Sequence, residues 1–175
     1  MQLLLPTQVT KRLRQELRRA KAREIGGLLM GEHVRDDVFR VVDISVQRSG
    51  GSQIHFVRDP SGHATQLQAF FARTGNDFTR FNYLGEWHSH PTFEPTPSST
   101  DCDSMQSIVD NPDVGANFLV LLVVKLASRK RLAGTATVFR PHQASMSVVV
   151  LSEDTGPGSR FERALPSWLR GWFTR

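Results

Sequence analysis

The chain contains a single cysteine, Cys102, among its 175 residues, so no internal disulfide can brace it. That usage suits a reducing, cytoplasmic compartment. Long hydrophobic runs are missing as well. The greasiest stretch, Ala116 to Val124, suits a buried strand and falls far short of the roughly 20 apolar residues of a membrane-spanning helix. The opening Met1-Gln2-Leu3-Leu4-Leu5-Pro6 has neither a basic leader nor an extended apolar segment, which argues against a signal peptide. Internal repeats and low-complexity tracts are absent too. The expectation is a cytoplasmic protein with no membrane partner.

What is present describes one folded domain. A hydrophobic fraction of 39% beside 22% charged residues excludes a disordered chain, and the length suits one well-buried core rather than two. Residues 1–154 are expected to form it, with 155–175 a linker and aromatic tail packed on the same domain. Net charge is +5, which favours anionic partners in general without choosing among nucleic acid, acidic proteins and anionic membranes.

Val9, Leu13, Leu17 and Ala20 recur at helical spacing and predict a helix over Val9 to Ala22. Its other face is basic and reads either as a docking surface or as an ordinary solvated face, the latter favoured. Glu24 to Glu32 is a short apolar strand punctuated by glycines, paired with a strand over Val38 to Val46. Gln53 to Val57 is expected to be another strand. Leu67, Phe70, Phe71, Phe78 and Phe81 fit a helix from Ala64 to Phe81, breakable at Gly75-Asn76. Tyr83 to His90 is the central strand, and Asp101 to Val109 a short helix halted at Asn111-Pro112. Phe118 to Val124, Arg131 to Arg140 and Ser145 to Leu151 complete the sheet. The tail from Phe161 to Phe173 is expected to fold back as a helix, because exposed Trp and Phe are costly in water. The architecture predicted is α/β, a mixed β-sheet sandwiched by helices.

The chemistry concentrates in Trp87-His88-Ser89-His90-Pro91 and the loop that follows. Side chains two apart on a strand share a face, so His88 and His90 can converge on one point. Pro91, Pro95 and Pro97 stiffen the return path, so that Asp101 can be brought back to the imidazoles. Two nitrogens and a carboxylate oxygen suit a catalytic zinc with a fourth position open to water. Each part has a plainer reading: a His-x-His pair is often structural, and Ser98-x-x-Asp101 ahead of an amphipathic segment is a helix capping motif. Both readings of Ser98 and Asp101 can hold at once. Spacing favours Glu86, two residues before His88, as the accompanying carboxylate. Asp103 and Cys102 are weaker candidates, Asp103 turned away along the helix and Cys102 better suited to a buried structural thiol. His33, His55, His63 and His142 lack spaced partners and read as structural.

These residues in this order resemble the JAB/MPN (JAMM) metalloprotease family: a glutamate ahead of the first apolar strand, His-x-His-Pro, then Ser-x-x-Asp. The resemblance spans roughly Gln8 to Leu151 and points to the prokaryotic JAB branch with its cytidine-deaminase-like architecture. It implies that His88, His90 and Asp101 bind one zinc ion, that Glu24 takes the proton of the attacking water, and that Ser98 stabilises the oxyanion. It also implies the reaction: hydrolysis of the amide bond after the C-terminal glycine of a ubiquitin-like modifier, or of a protein conjugated in a ubiquitin-like way. Within the branch the chain is compatible with two groups, and the one preferred is the deconjugating proteases of CBASS antiphage systems, which it resembles in its compact form and intact catalytic set and whose partners are a cyclic-oligonucleotide synthase and its conjugating enzymes. Proteases that process small sulfur-carrier proteins are an alternative. A RadC-like DNA-associated protein is another, disfavoured because Ser89 stands where that group usually has Asn. Glu86 departs from the family pattern, which has an apolar or small residue there.

Overall fold

Helix α1 (Thr7–Ala20) carries the stripe of Val9, Leu13, Leu17 and Ala20 that its spacing predicts, and all four are buried. Pro6 precedes it in extended conformation, and Lys21 at φ 58° ends it. The remaining elements, in chain order, are β1 (Gln2–Leu5) ahead of the helix, then β2 (Gly26–Arg35), β3 (Val38–Ile44), α2 (Pro60–Arg73) and β4 (Phe81–Ser89). They continue with α3 (Ser99–Asp110), β5 (Leu119–Leu126), β6 (Leu132–Phe139), β7 (Met146–Ser152) and β8 (Phe161–Arg163). The computed structural model describes residues 1–48, 60–128, 131–153 and 161–163, with only the backbone described for 60–62 and 161–163.

The strands form one mixed sheet in the order β5-β4-β2-β3-β1-β7-β6-β8, and β5 also pairs with β6. That last ladder is antiparallel and runs from Leu119 opposite Phe139 to Leu126 opposite Leu132. It joins the first strand of that order to the last but one, so the strands from β5 round to β6 close into a barrel-like wall, with β8 added beside β6. This corrects the expected sandwich. The sheet is mixed as predicted, but it curls until β5 hydrogen-bonds to β6, which leaves few open edges. Helix α1 sits on the inner side, touching both β3 and β5. Its stripe joins Leu3, Leu5, Leu29, Val41, Trp87 and the inward residues of β5 to β7 in the main core. On the outer side, α2 packs on β2 and β4, and α3 on β5 and β6. The near-continuous apolar sequence of β5 follows from this placement. Val120, Leu122 and Val124 face the main core, while Leu119, Leu121 and Val123 meet Met105 and Val109 of α3.

Strand β1 was not anticipated; its four residues lie between β3 and β7, parallel to both. The helix expected to reach Phe81 stops at Arg73. The Thr74 hydroxyl donates to the carbonyls of Phe70 and Phe71, and Gly75 and Asn76 then turn at positive φ. Phe78 falls outside the helix, and Phe81 opens β4. In the tail, Phe161–Arg163 adds a strand beside Leu132–Gly134 where a helix was expected. The predicted strand Gln53 to Val57, the linker Thr155 to Ser159 and the rest of the aromatic tail lie outside the described residues.

One irregularity aims the site. Gly85 has φ 137°, and a Cβ there would lie 2.0 Å from the Val120 carbonyl oxygen, so only glycine fits. The ladder between β2 and β4 shifts register at this point. Leu84 and Trp87, three residues apart, both reach the inner core as a result. His88 is thereby turned to the outer side, toward α3.

Candidate metal centre

The site lies where β4 ends and its chain crosses to α3. His88 is 7% exposed. His90 follows just past the strand, with its amide donating to Val124 O at 3.0 Å, so it extends the pairing of β4 with β5. The proline-containing loop is then tied down at several points. Lys125 Nζ donates to Phe93 O at 3.0 Å, and Thr135 Oγ1 to Pro95 O at 2.7 Å. This tethering brings Ser98 and Asp101 back over the histidines.

Ser98 caps α3. Its Oγ accepts from the Asp101 amide at 3.2 Å, and Asp101 Oδ2 accepts in return from the Ser98 amide at 2.8 Å and the Ser98 hydroxyl at 2.7 Å. The capping reading of Ser-x-x-Asp is therefore observed, and the same cap aims the carboxylate. Burial pushes the Asp101 carboxyl up, but hydrogen bonding and charge from His88 and the donors of Ser98 outweigh it. The group stays well below the usual carboxylate range.

Asp101 Oδ2 stands 3.5 Å from His88 Nε2 and 3.9 Å from His90 Nε2, and the two Nε2 atoms are 3.1 Å apart. In a zinc tetrahedron with bonds near 2.0–2.1 Å, ligand atoms are separated by about 3.4 Å. The triangle observed has edges of that size, and these three residues form a group able to hold a metal ion. The ring of His90 fits the role further. Its Nδ1 lies 2.9 Å from Glu94 O, a carbonyl that can only accept, so Nδ1 carries the proton and Nε2 offers its lone pair. The donor set therefore fits one divalent ion with nitrogen and oxygen preference.

Glu24 is buried beside this triangle, with Oε1 4.0 Å from His90 Nε2, and is not one of the three grouped ligands. Glu86, which spacing preferred, is not in the ligand group; it receives a hydrogen bond from Tyr83 Oη at 3.4 Å. Asp103 is exposed on α3 and also outside the group. Cys102 is half-buried against the cluster that α3 forms with β5 and β6, and burial together with the charges of Asp101 and Asp103 pushes its thiol up. His33 stacks on Phe39, and His142 lies 3.5 Å from Asp110. His63 is buried 2.7 Å from Ser45 Oγ, and His55 lies outside the described residues.

The sequence reading missed two serines that hold the start of β2, and with it Glu24. Ser89, between the histidines, faces the opposite way and is fully buried; its Oγ accepts from the Ile25 amide at 3.0 Å. Ser45 Oγ accepts from the Leu28 amide at 2.7 Å, and Ser45 O accepts from Trp87 Nε1 at 2.9 Å. The strict alternation of His-Ser-His was the available signal for Ser89. For Ser45 there was none, since its partner lies 17 residues away.

Comparison with known proteins gives a consistent set of likenesses. Residues 6–148 match the family described as prokaryotic homologs of the JAB domain. A relative from Enterobacter hormaechei subsp. hoffmannii, named CD-NTase/cGAS isopeptidase, is 30% identical over 114 residues, covering 63% of this chain and 60% of its own. A relative of the same name from Vibrio cholerae serotype O1 is 34% identical over 103 residues, 58% of this chain and 61% of its own. The chain thus spans about three fifths of the length of these curated relatives. A solution structure of a Desulfitobacterium hafniense protein superposes with a TM-score of 0.64 at 20% identity, over 89% of this chain and 95% of that one, a likeness of fold.

Proposed function

The chain belongs to the prokaryotic JAB-domain family, and from that premise we propose that it is a zinc-dependent isopeptidase. Its substrate is the amide bond after the C-terminal glycine of a ubiquitin-like modifier or of a protein conjugated in that way. We assign it to antiphage defence, where it releases a conjugated cyclic-oligonucleotide synthase. The name shared by the two relatives supports that substrate. The observation that carries the reading is the meeting of His88, His90 and Asp101 around one point with Glu24 beside it.

His88 Nε2, His90 Nε2 and Asp101 Oδ2 would hold the ion, which when bound makes a water acidic enough to attack at neutral pH and polarises the scissile carbonyl. Glu24 takes the proton from the attacking water and delivers it to the leaving amine as the C–N bond breaks, giving a carboxylate and a free amine. Ser98 donates to the oxyanion that develops on the carbonyl oxygen, a contact worth about 3 kcal/mol. In the structure its hydroxyl donates to Asp101 Oδ2, so this proton must swing to the substrate as the oxyanion forms. The Glu94 carbonyl keeps His90 in the tautomer that ligates through Nε2. The cap of α3 keeps Asp101 in place whether or not substrate is present.

The test uses the full chain, loaded with zinc, and a cyclic-oligonucleotide synthase whose C-terminal glycine is joined by an amide to a reporter protein. Cleavage at the glycine, read by the masses of both products and stopped by a chelator, is expected. Folded, zinc-loaded protein that leaves this bond intact would refute the proposal.

A further inference from the structure

The net positive charge of this chain is gathered in one stretch, α1 and the residues just after it. Between Lys11 and Arg23 there are seven lysines and arginines against one carboxylate, Glu16, a net of +6, while the rest of the chain nets -1. All of these cations are exposed except Arg14, which is half-buried. Glu16 does not dilute the outer face, because it is buried and bonded to Arg48 and Arg19. The array also leads to the candidate site. Helix α1 ends at Ala20, Lys21 and Arg23 follow, and the next residue is Glu24, beside His90. A conjugate whose tail enters the site holds its folded body close by, and the chain that leads into Glu24 is this array. Single-stranded nucleic acid fits this face less well: no aromatic side chain lies between Lys11 and Arg23 for a base to stack on.

We propose that the outer face of α1, continued by Lys21 and Arg23, docks an acidic face on the folded body of the protein conjugate being cleaved. The proposal rests on the isopeptidase reading and adds to it the charge class of the substrate. The array raises the encounter rate with a negatively charged body and orients its tail toward Glu24, an effect screened by salt.

The test takes one fluorescent carrier protein in an acidic and a basic surface version, each bearing the same glycine-ended tail in amide linkage, and the tail peptide alone. The enzyme is compared with its Lys11→Glu/Lys21→Glu variant, two exposed positions outside the site. At low salt the acidic carrier should be cut faster than the basic one, and the variant should lose about tenfold in kcat/KM on the acidic carrier only. High salt should erase that difference, and cleavage of the peptide should be unchanged. Equal rates on the two carriers, or an equal loss on all three substrates, would overturn the proposal. Absence of any cleavage would strike the isopeptidase reading instead, and docking would then be read by fluorescence anisotropy of the acidic carrier with the Glu24→Gln protein. Binding weakened by Lys11→Glu/Lys21→Glu supports the surface, and no binding overturns it. A DNA duplex bound with the same sensitivity while the acidic carrier is ignored would reassign the face to nucleic acid.

Discussion

Replacing Ser89 by alanine removes one oxygen from a fully buried side chain and leaves the Ile25 amide without its acceptor at 3.0 Å. A buried N–H stripped of its partner costs about 1–3 kcal/mol. For a domain of this size each kcal/mol lowers Tm by about 2–4 °C, so the variant should melt about 2–12 °C below the parent. The ladder bond from the Ser89 amide to Ile25 O, at 2.8 Å, remains, so the strands should stay paired and His88 and His90 should keep their face. Zinc affinity should therefore change little. Glu24, one residue from the orphaned amide, loses part of its anchoring, and kcat should fall while KM holds. The assay is thermal melting by circular dichroism, paired with zinc titration and steady-state cleavage of a tailed fusion. A Tm within one degree of the parent (a change too small for an orphaned amide) would refute the reasoning, because the Ile25 amide would then not depend on the serine. Loss of zinc with an unchanged Tm would refute it equally.

Glu24→Gln should abolish cleavage while zinc stays bound, measured by elemental analysis beside activity; an active Glu24→Gln protein with an inactive Glu86→Gln one would move the proton-transfer role to Glu86. Asp101→Ala removes both a metal-site oxygen and the acceptor of the Ser98 amide, and should lower zinc content and loosen the start of α3, read by hydrogen exchange at residues 98–102. Gly27→Ala would set a Cβ 2.2 Å from the Ser45 carbonyl oxygen, backbone that cannot simply swing away, and should cost about 1–3 kcal/mol in denaturant unfolding. The carboxyl of Glu16 is held below its ordinary 4.5, chiefly by the hydrogen bond from Arg48 working against burial. Its stabilisation is thus complete above that ordinary value and is lost as pH falls toward the lower folded one, so Glu16→Gln should flatten the acid limb of a stability–pH curve.

Local sequence determined the parts of this protein that depend on near neighbours. The stripe of α1 follows from side chains three and four apart. The shared face of His88 and His90 follows from the two-residue period of a strand, and the cap joining Ser98 to Asp101 from a spacing of three at a helix start. These patterns are set by backbone geometry that hardly depends on what lies beyond. Tertiary structure alone decided the closure of the sheet: β5 and β6 are neighbours in sequence, but the ring is completed only by the parallel ladders of β1 with β3 and β7, whose partners lie far apart in the chain. It also decided the place of β1, four residues whose pairing lies with strands that start 38 and 146 residues into the chain. The choice between Glu24 and Glu86 shows the difference most directly. Spacing along β4 favoured Glu86, but proximity in space belongs to Glu24, carried to His90 by the ladder between β2 and β4 and by a serine hydroxyl 64 residues away from the amide it holds.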